Sequence, residues 1–186
     1  MSTQTMGVVG YGDIGKACGS LAKAYGMRVL ALRRDPSKCE GDPIVDMAYG
    51  SGQVGDMLAE CDYVLVAAPL TEKTRGMVGR EELGRVKDGA VLINVGRGPI
   101  VDEQALIDNL KPGGRLAGAA LDVFDVEPLP KENELWELPN VLVSSHNMDM
   151  TETFMLKSSE KFVELLEGWV RGDDGVGNEV DKAEGY

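Results

Sequence analysis

The sequence reads MGVVGYGDIGKACGSLAKAYG from Met6 to Gly26. Its first residues form a short valine-containing run, Met6–Gly10, which predicts a buried β-strand. Apolar residues then recur at helical spacing, which predicts an α-helix over Ile14–Tyr25. Gly26 follows at the position where a glycine commonly ends a helix. A strand, a glycine-rich turn and a helix in this order are typical of the opening of a parallel α/β sheet.

The turn between this strand and helix has the pattern Gly-x-Gly-x-x-Gly. Its first glycine permits a tight turn, its second lets the backbone approach a pyrophosphate, and its third lets the helix pack close to the strand. Backbone amides at the helix N-terminus then face the phosphates, with the helix dipole behind them. An ordinary glycine turn is the alternative. The context after a strand favours a dinucleotide site that includes Gly10, Gly12, Asp13, Ile14 and Gly15.

The residues that follow the second predicted strand, 27–32, bear on the choice of cofactor. An acidic side chain about 20 residues after the glycine turn would bind the ribose hydroxyls of NAD. The sequence instead has Arg33 and Arg34, followed by Asp35. Two guanidinium groups suit the 2′-phosphate of NADP, so NADP is favoured over NAD. Two alternatives stay open: Asp35 could turn toward the ribose, and the arginines could be ordinary solvent-facing side chains.

Downstream, short apolar runs alternate with longer segments of helical periodicity, as in parallel sheets with crossover helices. Further strands are predicted over residues 44–48, 62–68, 90–95, 116–121 and 141–144. Helices are predicted over residues 54–60, 81–86, 102–110 with Asp102 as the cap, and 151–170. The pattern predicts an α/β fold, a Rossmann-type doubly wound parallel sheet. It is expected to form a single dinucleotide-binding domain over residues 1–170, followed by an acidic tail over 171–186.

Composition limits the classes of partner. The formal net charge of −12 argues against a nucleic-acid-binding surface, which needs clusters of lysine and arginine. No apolar run approaches the roughly 20 residues of a membrane helix. The three cysteines lie far apart in the sequence, so neither a disulfide framework nor a metal site is expected. No signal or transit pattern precedes the glycine turn, and a cytoplasmic location is therefore expected.

Three further segments carry polar residues within or after predicted strands: INVGRGPIVD at 93–102, LDVFDVEP at 121–128 and VSSHN at 143–147. Together with the glycine turn, they resemble the D-isomer-specific 2-hydroxyacid dehydrogenase family, which includes glyoxylate/hydroxypyruvate reductases and phosphoglycerate dehydrogenases. The resemblance extends from Met6 to Ala183. It implies an NAD(P)-dependent oxidoreductase that reduces small 2-keto acids to 2-hydroxy acids by hydride transfer.

The resemblance also implies catalytic roles. Arg97 would hold the substrate carboxylate and polarise its carbonyl group. His146, the only histidine, would be the general acid in reduction and the base in oxidation, and Glu127 would stabilise its imidazolium. Taken singly, each has an ordinary alternative: a structural histidine, a turn at Glu127-Pro128 and a surface charge at Arg97. The chain departs from the family at Ser145, where proline usually precedes the histidine.

The same resemblance extends the cofactor site beyond the glycine turn. Asp122 would accept a hydrogen bond from the nicotinamide carboxamide. A loop after the fourth predicted strand and a second loop after the fifth would line the cofactor. The residues concerned are Ala68, Pro69, Val95, Gly96 and Arg97.

Family members also carry a substrate domain, most of which precedes the glycine turn. Only nine residues precede Gly10, so this domain is expected to be absent from the chain. The alternative function is therefore a cofactor-binding or protein-interaction module without turnover. Apolar surface left uncovered, including part of the helix predicted over 151–170, leads us to expect a homo-oligomer or a partner chain.

Overall fold

The computed structural model describes residues 3–173. The chain divides into two compact units, residues 1–146 and 147–186. This division falls before the predicted domain boundary at residue 170, and that boundary stays a prediction. The family resemblance implies that the predicted acidic tail, residues 171–186, would cross to a substrate domain. From residue 174 onward, this tail lies outside the described part of the chain.

The first unit is built on a seven-stranded sheet in which every pairing is parallel. Its strands are β1 (Thr5–Val9), β2 (Arg28–Leu32), β3 (Met47–Tyr49), β4 (Tyr63–Val66), β5 (Ala90–Asn94), β6 (Leu116–Leu121) and β7 (Val141–Val143). Their order across the sheet is β3-β2-β1-β4-β5-β6-β7. The chain runs outward in both directions from β1 and β4, which confirms the predicted Rossmann-type sheet. Ligands bind such sheets at the carboxyl ends of the strands, near this reversal.

Four α-helices connect the strands: α1 (Asp13–Ala24), α2 (Val54–Leu58), α3 (Arg80–Leu83) and α4 (Glu103–Leu110). Short 3₁₀ turns lie at Pro36–Cys39, Ser51–Gln53, Gly98–Ile100 and Glu134–Trp136. The predicted cap of α4 is confirmed, because the Asp102 side chain accepts a hydrogen bond from the Ala105 N–H at 2.9 Å. Gly26 has a φ of 76° just beyond α1, as its helix-ending role requires.

The sheet is buried on both faces. Consecutive residues of a strand enter two different apolar clusters: Val8 lies in one and Val9 in the other. The same alternation holds in β2 for Val29 and Leu30. Because successive side chains point to opposite faces of a strand, helices or loops must cover both sides of the sheet. This doubly covered arrangement leaves the carboxyl edge as the place where polar side chains can meet.

The third predicted strand is present, but its predicted bounds were wrong. Residues 44–48 were expected to be extended, but β3 is Met47–Tyr49. Asp42 starts a turn instead: its side chain accepts from the Ile44 N–H at 3.0 Å, and its carbonyl accepts from the Val45 N–H at 3.2 Å. This turn uses the backbone groups that a strand would have paired.

The second unit contains α5, Phe154–Arg171, which begins three residues after the predicted start and ends at Gly172 with a φ of 77°. Large apolar side chains on this helix are exposed, namely Met155, Leu156, Phe162, Val163, Leu166, Trp169 and Val170. Within residues 3–173, no helix combines the length and the apolar character needed to span a bilayer.

Candidate functional site

The glycine turn joins β1 to α1 and is tightly packed at its first and third glycines. Gly10 has a φ of 94°, a backbone conformation that strongly favours glycine. A Cβ at Gly10 would lie 2.5 Å from the backbone of Ala68, so the turn packs directly on the loop after β4. The structure thereby brings together two of the segments predicted to bind the cofactor.

The other two glycines differ in their surroundings. A Cβ at Gly15 would collide with the Gly10 carbonyl oxygen, so this glycine lets α1 pack against the turn. Apart from its neighbours in the chain, no described atom lies within 4 Å of a Cβ built at Gly12, which stands at the N-terminus of α1. Asp13 and Ile14 are exposed in the first helical turn. The open space above Gly12 is therefore suited to a phosphate group approached by helix amides.

The loop after β5 is held by a buried amide side chain that the sequence analysis did not identify. Asn94 is 2% exposed, and its Oδ1 accepts from the Gly96 N–H at 3.1 Å. Its Nδ2 donates to the Arg97 carbonyl at 3.2 Å. Both bonds fix the backbone that carries Arg97. Asn94 could have been identified from the sequence, since it is a polar residue at the end of an apolar strand. A buried amide in such a place is expected to make hydrogen bonds.

The Arg97 loop packs backbone against backbone on the loop after β6. A Cβ at Gly98 would collide with the carbonyl group of Phe124, so only glycine permits this approach. The Arg97 side chain is exposed, and its Nη1 donates to the Gly96 carbonyl at 2.6 Å. The backbone that carries Arg97 therefore lies beside the segment that carries Glu127.

Glu127 and His146 are in direct contact. Glu127 Oε2 lies 2.7 Å from His146 Nδ1, and Glu127 Oε1 accepts from the Phe124 N–H at 3.0 Å. The carboxylate is thus held at both oxygens. His146 has a φ of 52°, in the left-handed region that non-glycine residues rarely adopt, and its side chain is 44% exposed. The imidazole is therefore both oriented by a carboxylate and accessible to a ligand.

Several effects act on the Glu127 carboxyl group. Burial acts to raise its pKa, but the hydrogen bonds from His146 and Phe124 outweigh burial, with a smaller contribution from the charge of Arg97. The pKa of Glu127 therefore lies below its ordinary value of 4.5. A carboxylate that stays ionised at neutral pH can stabilise a proton on the neighbouring imidazole.

Asp122 directly follows β6 and is only 4% exposed. Its N–H donates to the Asn94 carbonyl at 3.0 Å, and its Oδ1 accepts from the Ser144 hydroxyl at 2.6 Å. A buried carboxylate needs such donors, because an unpaired charge away from water is costly. Asp122 thus lies at the carboxyl edge of the sheet, between the Arg97 loop and the segment that leads to His146.

The segment after β2 carries the basic residues. Arg33 is partly buried and Arg34 is exposed. Asp35 caps the following 3₁₀ turn, and its Oδ1 accepts from the Ser37 N–H at 3.1 Å and from the Ser37 hydroxyl at 2.6 Å. These bonds to Ser37 hold the pKa of Asp35 below its ordinary value. The Asp35 carboxylate is therefore engaged within its own turn.

A family model described as "D-isomer specific 2-hydroxyacid dehydrogenase, NAD binding domain" matches residues 1–147. The chain belongs to this family. The match ends one residue after His146, so all residues predicted for cofactor binding and catalysis lie within the matched part of the chain.

Curated relatives and solved structures agree with this assignment. The chain is 38% identical to a glyoxylate reductase of Korarchaeum cryptofilum over 91% of this chain and 50% of the relative. It is 41% identical to a glyoxylate/hydroxypyruvate reductase B of Yersinia enterocolitica, over 77% of this chain and 43% of the relative. The chain thus spans about half the length of these relatives. A D-isomer specific 2-hydroxyacid dehydrogenase from Xanthobacter autotrophicus Py2, in complex with NADPH and MES, superposes with a TM-score of 0.90 at 37% identity, covering 100% of this chain and 74% of that one.

Within this family domain, the predicted site residues follow the carboxyl ends of six neighbouring strands. Pro69 and Val95 complete the set: Pro69 is exposed after β4, and its carbonyl accepts from the Thr74 hydroxyl at 2.7 Å, whereas Val95 packs partly buried after β5. Neither Ser144 nor Asn94 was predicted as a site residue. Ser144 lies next to the predicted Ser145-His146 segment, but its bond to Asp122 depends on the pairing of β6 with β7.

Proposed function

We propose that this chain binds NADP(H) and contributes the catalytic residues for reduction of small 2-keto acids such as glyoxylate or hydroxypyruvate. The observation that carries the proposal is the 2.7 Å contact between Glu127 and His146 at the carboxyl edge of the sheet, beside the Arg97 loop. An oriented acid–base group next to a guanidinium is suited to a keto acid, which offers a carbonyl to protonate and a carboxylate to bind. The names of the reductase relatives support this substrate class.

The residues divide the chemistry between them. The nicotinamide cofactor, when bound, supplies the hydride that reduces the carbonyl carbon. His146 has Nδ1 engaged with Glu127, so Nε2 is the nitrogen that would deliver a proton to the carbonyl oxygen. Arg97 would bind the substrate carboxylate through two parallel N–H···O bonds and polarise the carbonyl group. In the oxidation direction, His146 would accept the proton again.

The proposed cofactor site lies at the same carboxyl edge of the sheet. The open space above Gly12 and the helix amides behind it fit a pyrophosphate, together with Gly10, Asp13, Ile14 and Gly15. Asp122 would accept from the nicotinamide carboxamide. The walls of the site would come from the loops after β4 and β5, through Ala68, Pro69, Val95 and Gly96.

NADP is proposed over NAD, because Asp35 is held by Ser37 and because Arg33 and Arg34 directly follow β2 at the carboxyl edge of the sheet, where the ribose would lie. Arg34→Ala should weaken NADPH binding by about 1.5–3 kcal/mol, the worth of a charge-assisted hydrogen bond, and leave NADH binding nearly unchanged. Titration calorimetry with both cofactors measures this. Arg80→Ala, which removes an exposed arginine paired with Asp108, is the matched control and should change neither affinity. Equal affinities of the unaltered chain for NADPH and NADH would contradict the proposed preference.

Residues 1–186 alone should be a poor catalyst, because the chain spans about half the length of its reductase relatives. Closure of a second domain excludes water and positions the substrate. Together these effects lower the activation free energy by several kcal/mol. We expect turnover with glyoxylate or hydroxypyruvate at least a hundredfold below an ordinary enzyme's roughly 10 s⁻¹. NADPH oxidation, followed by absorbance, measures it. A monomer that turns over glyoxylate several times per second would show this expectation to be wrong.

The second candidate function is a cofactor-binding or protein-interaction module without turnover. The exposed apolar side chains of α5, including Phe162 and Trp169, favour it. Such a surface invites association, so we propose a homo-oligomer or a complex with a partner chain. Size exclusion with light scattering would show a species larger than 20.0 kDa. The cytoplasmic location stays a prediction.

A further inference from the structure

We propose that Thr74 is a positioning residue for the cofactor. Its hydroxyl holds the loop after β4, residues 67–74, in the shape that supports the middle of NADP(H). Thr74 acts through the backbone of Pro69 rather than by contact with the cofactor. The inference rests on the proposed function, in which Ala68 and Pro69 line the cofactor site.

The loop after β4 lies between the two other segments proposed for the cofactor site. A Cβ at Gly10 would lie 2.5 Å from the backbone of Ala68, and a Cβ at Gly96 would lie 2.8 Å from the Ala68 carbonyl oxygen. Ala68 is 6% exposed, whereas the next residue, Pro69, is exposed. A cofactor that extends from the glycine turn toward Arg97 would therefore pass next to Pro69.

The Thr74 hydroxyl is engaged both as a donor and as an acceptor. It donates to the Pro69 carbonyl at 2.7 Å, with the Thr71 carbonyl as a longer acceptor at 3.3 Å. It accepts from the Thr71 N–H at 2.8 Å and lies 3.2 Å from the Thr71 hydroxyl. Because Pro69 lies five residues before Thr74 in the chain, these bonds fold the loop back on itself.

Backbone bonds hold the far side of the same loop. The Thr71 carbonyl accepts from the Thr74 N–H at 3.1 Å, and the Gly76 N–H donates to the Pro99 carbonyl at 2.8 Å. The chain just after Thr74 is therefore anchored to the Arg97 loop without any help from the Thr74 side chain. The hydroxyl ties Pro69 to this anchored segment. Its removal should loosen the loop at Pro69 and leave the anchor in place.

A looser loop should lower the affinity for NADPH and NADH by the same factor. If only part of the population has the binding shape, the apparent affinity falls by that fraction. The extra phosphate of NADPH would lie beyond β2, which β1 separates from β4 in the sheet. A change in the loop after β4 should therefore not discriminate between the two cofactors, in contrast to Arg34→Ala.

The first test compares two substitutions at Thr74 in the full chain by titration calorimetry. Thr74→Val keeps the shape of the side chain and should weaken both NADPH and NADH by about five- to tenfold. Thr74→Ser keeps the hydroxyl and should bind both within about twofold of the unaltered chain. Thr153→Val is the matched control, because Thr153 is exposed and its side chain does not cap α5. It should bind both cofactors normally.

The second test follows the loop itself by limited digestion with trypsin. Lys73 and Arg75 are exposed on either side of Thr74, and cleavage after either requires the loop to open locally. Mass spectrometry measures the rate at these two bonds against cleavage elsewhere in the chain. Thr74→Val should be cut here several-fold faster than the unaltered chain, and Thr74→Ser at the unaltered rate. Saturating NADPH should slow this cleavage in the unaltered chain.

The outcomes separate this inference from the proposed function. Unchanged cofactor affinities in Thr74→Val, or equal losses in Thr74→Val and Thr74→Ser, would overturn the role of the hydroxyl alone. Cleavage of the unaltered chain that NADPH binding does not slow would overturn it without any variant. Failure of the unaltered chain to bind NADPH and NADH would overturn the proposed function and this inference with it.

Discussion

Gly12→Val is expected to weaken NADPH binding by about a hundredfold while the chain stays folded. The φ of Gly12 is −91°, which any residue can adopt, and apart from its neighbours in the chain no described atom lies within 4 Å of a Cβ built there. The first carbon of a valine side chain would therefore meet open space. It would instead occupy the volume into which a pyrophosphate must fit against the N-terminus of α1. Titration calorimetry gives the loss of affinity.

Gly52→Val is the matched control for this experiment. Gly52 is also exposed, and a Cβ there likewise meets no described atom within 4 Å. It lies in the 3₁₀ turn that follows β3, two strands away from β1 in the sheet and therefore away from the glycine turn. Both variants should melt close to the temperature of the unaltered chain, and only Gly12→Val should lose NADPH. Undiminished NADPH binding by Gly12→Val would show that the phosphates do not lie at this turn.

His146→Gln is expected to lower kcat for glyoxylate reduction by about 10²–10⁴, the usual contribution of a general acid or base. Glutamine can still hydrogen-bond to Glu127 but cannot donate and recover a proton at neutral pH. Because His146 is not part of the glycine turn, the Kd for NADPH should remain nearly unchanged. A kcat equal to that of the unaltered chain would remove His146 from the mechanism.

The same variant has a readout that does not require turnover. The hydrogen bond and charge of His146 help to hold the pKa of Glu127 below 4.5. With glutamine in place, the charge is lost, so the pKa of Glu127 should rise toward that value. A group with a depressed pKa stabilises the fold above its unfolded pKa and loses this contribution as the pH falls through the folded pKa. The stabilisation from Glu127 should therefore be smaller in His146→Gln and should be completely lost at a higher pH, which carboxyl NMR titration and unfolding below pH 5 can both follow.

Local sequence patterns were enough to predict the glycine turn and most of the helices and strands. Glycine is required at these positions for local reasons. Gly10 adopts a left-handed turn, Gly15 lets α1 pack close to that turn, and Gly26 ends the helix. The Asp102 cap is equally local, since donor and acceptor lie three residues apart. These features were predictable because each depends on a few neighbouring residues.

One of the unpredicted features depends on residues far apart in the sequence. The bond from Ser144 to Asp122 spans 22 positions and requires the β6–β7 pairing. The β3 error had a different cause: residues 44–48 are mostly apolar, and periodicity alone could not separate an extended segment from a turn begun by Asp42. The resemblance named Arg97, Glu127 and His146, but only the fold shows that Phe124 also holds Glu127.

The contact of Gly98 with Phe124 has a consequence for anyone who redesigns the substrate range of this domain. Because the two loops meet at Gly98 and Phe124 through main-chain atoms, any side chain larger than glycine's at position 98 would force the segments that carry Arg97 and Glu127 apart. Substitution of residues around this contact can change which molecules fit while the backbone spacing at the contact stays the same. A larger substrate would require longer loops after β5 or β6, so insertion libraries are better suited to the task than point substitutions.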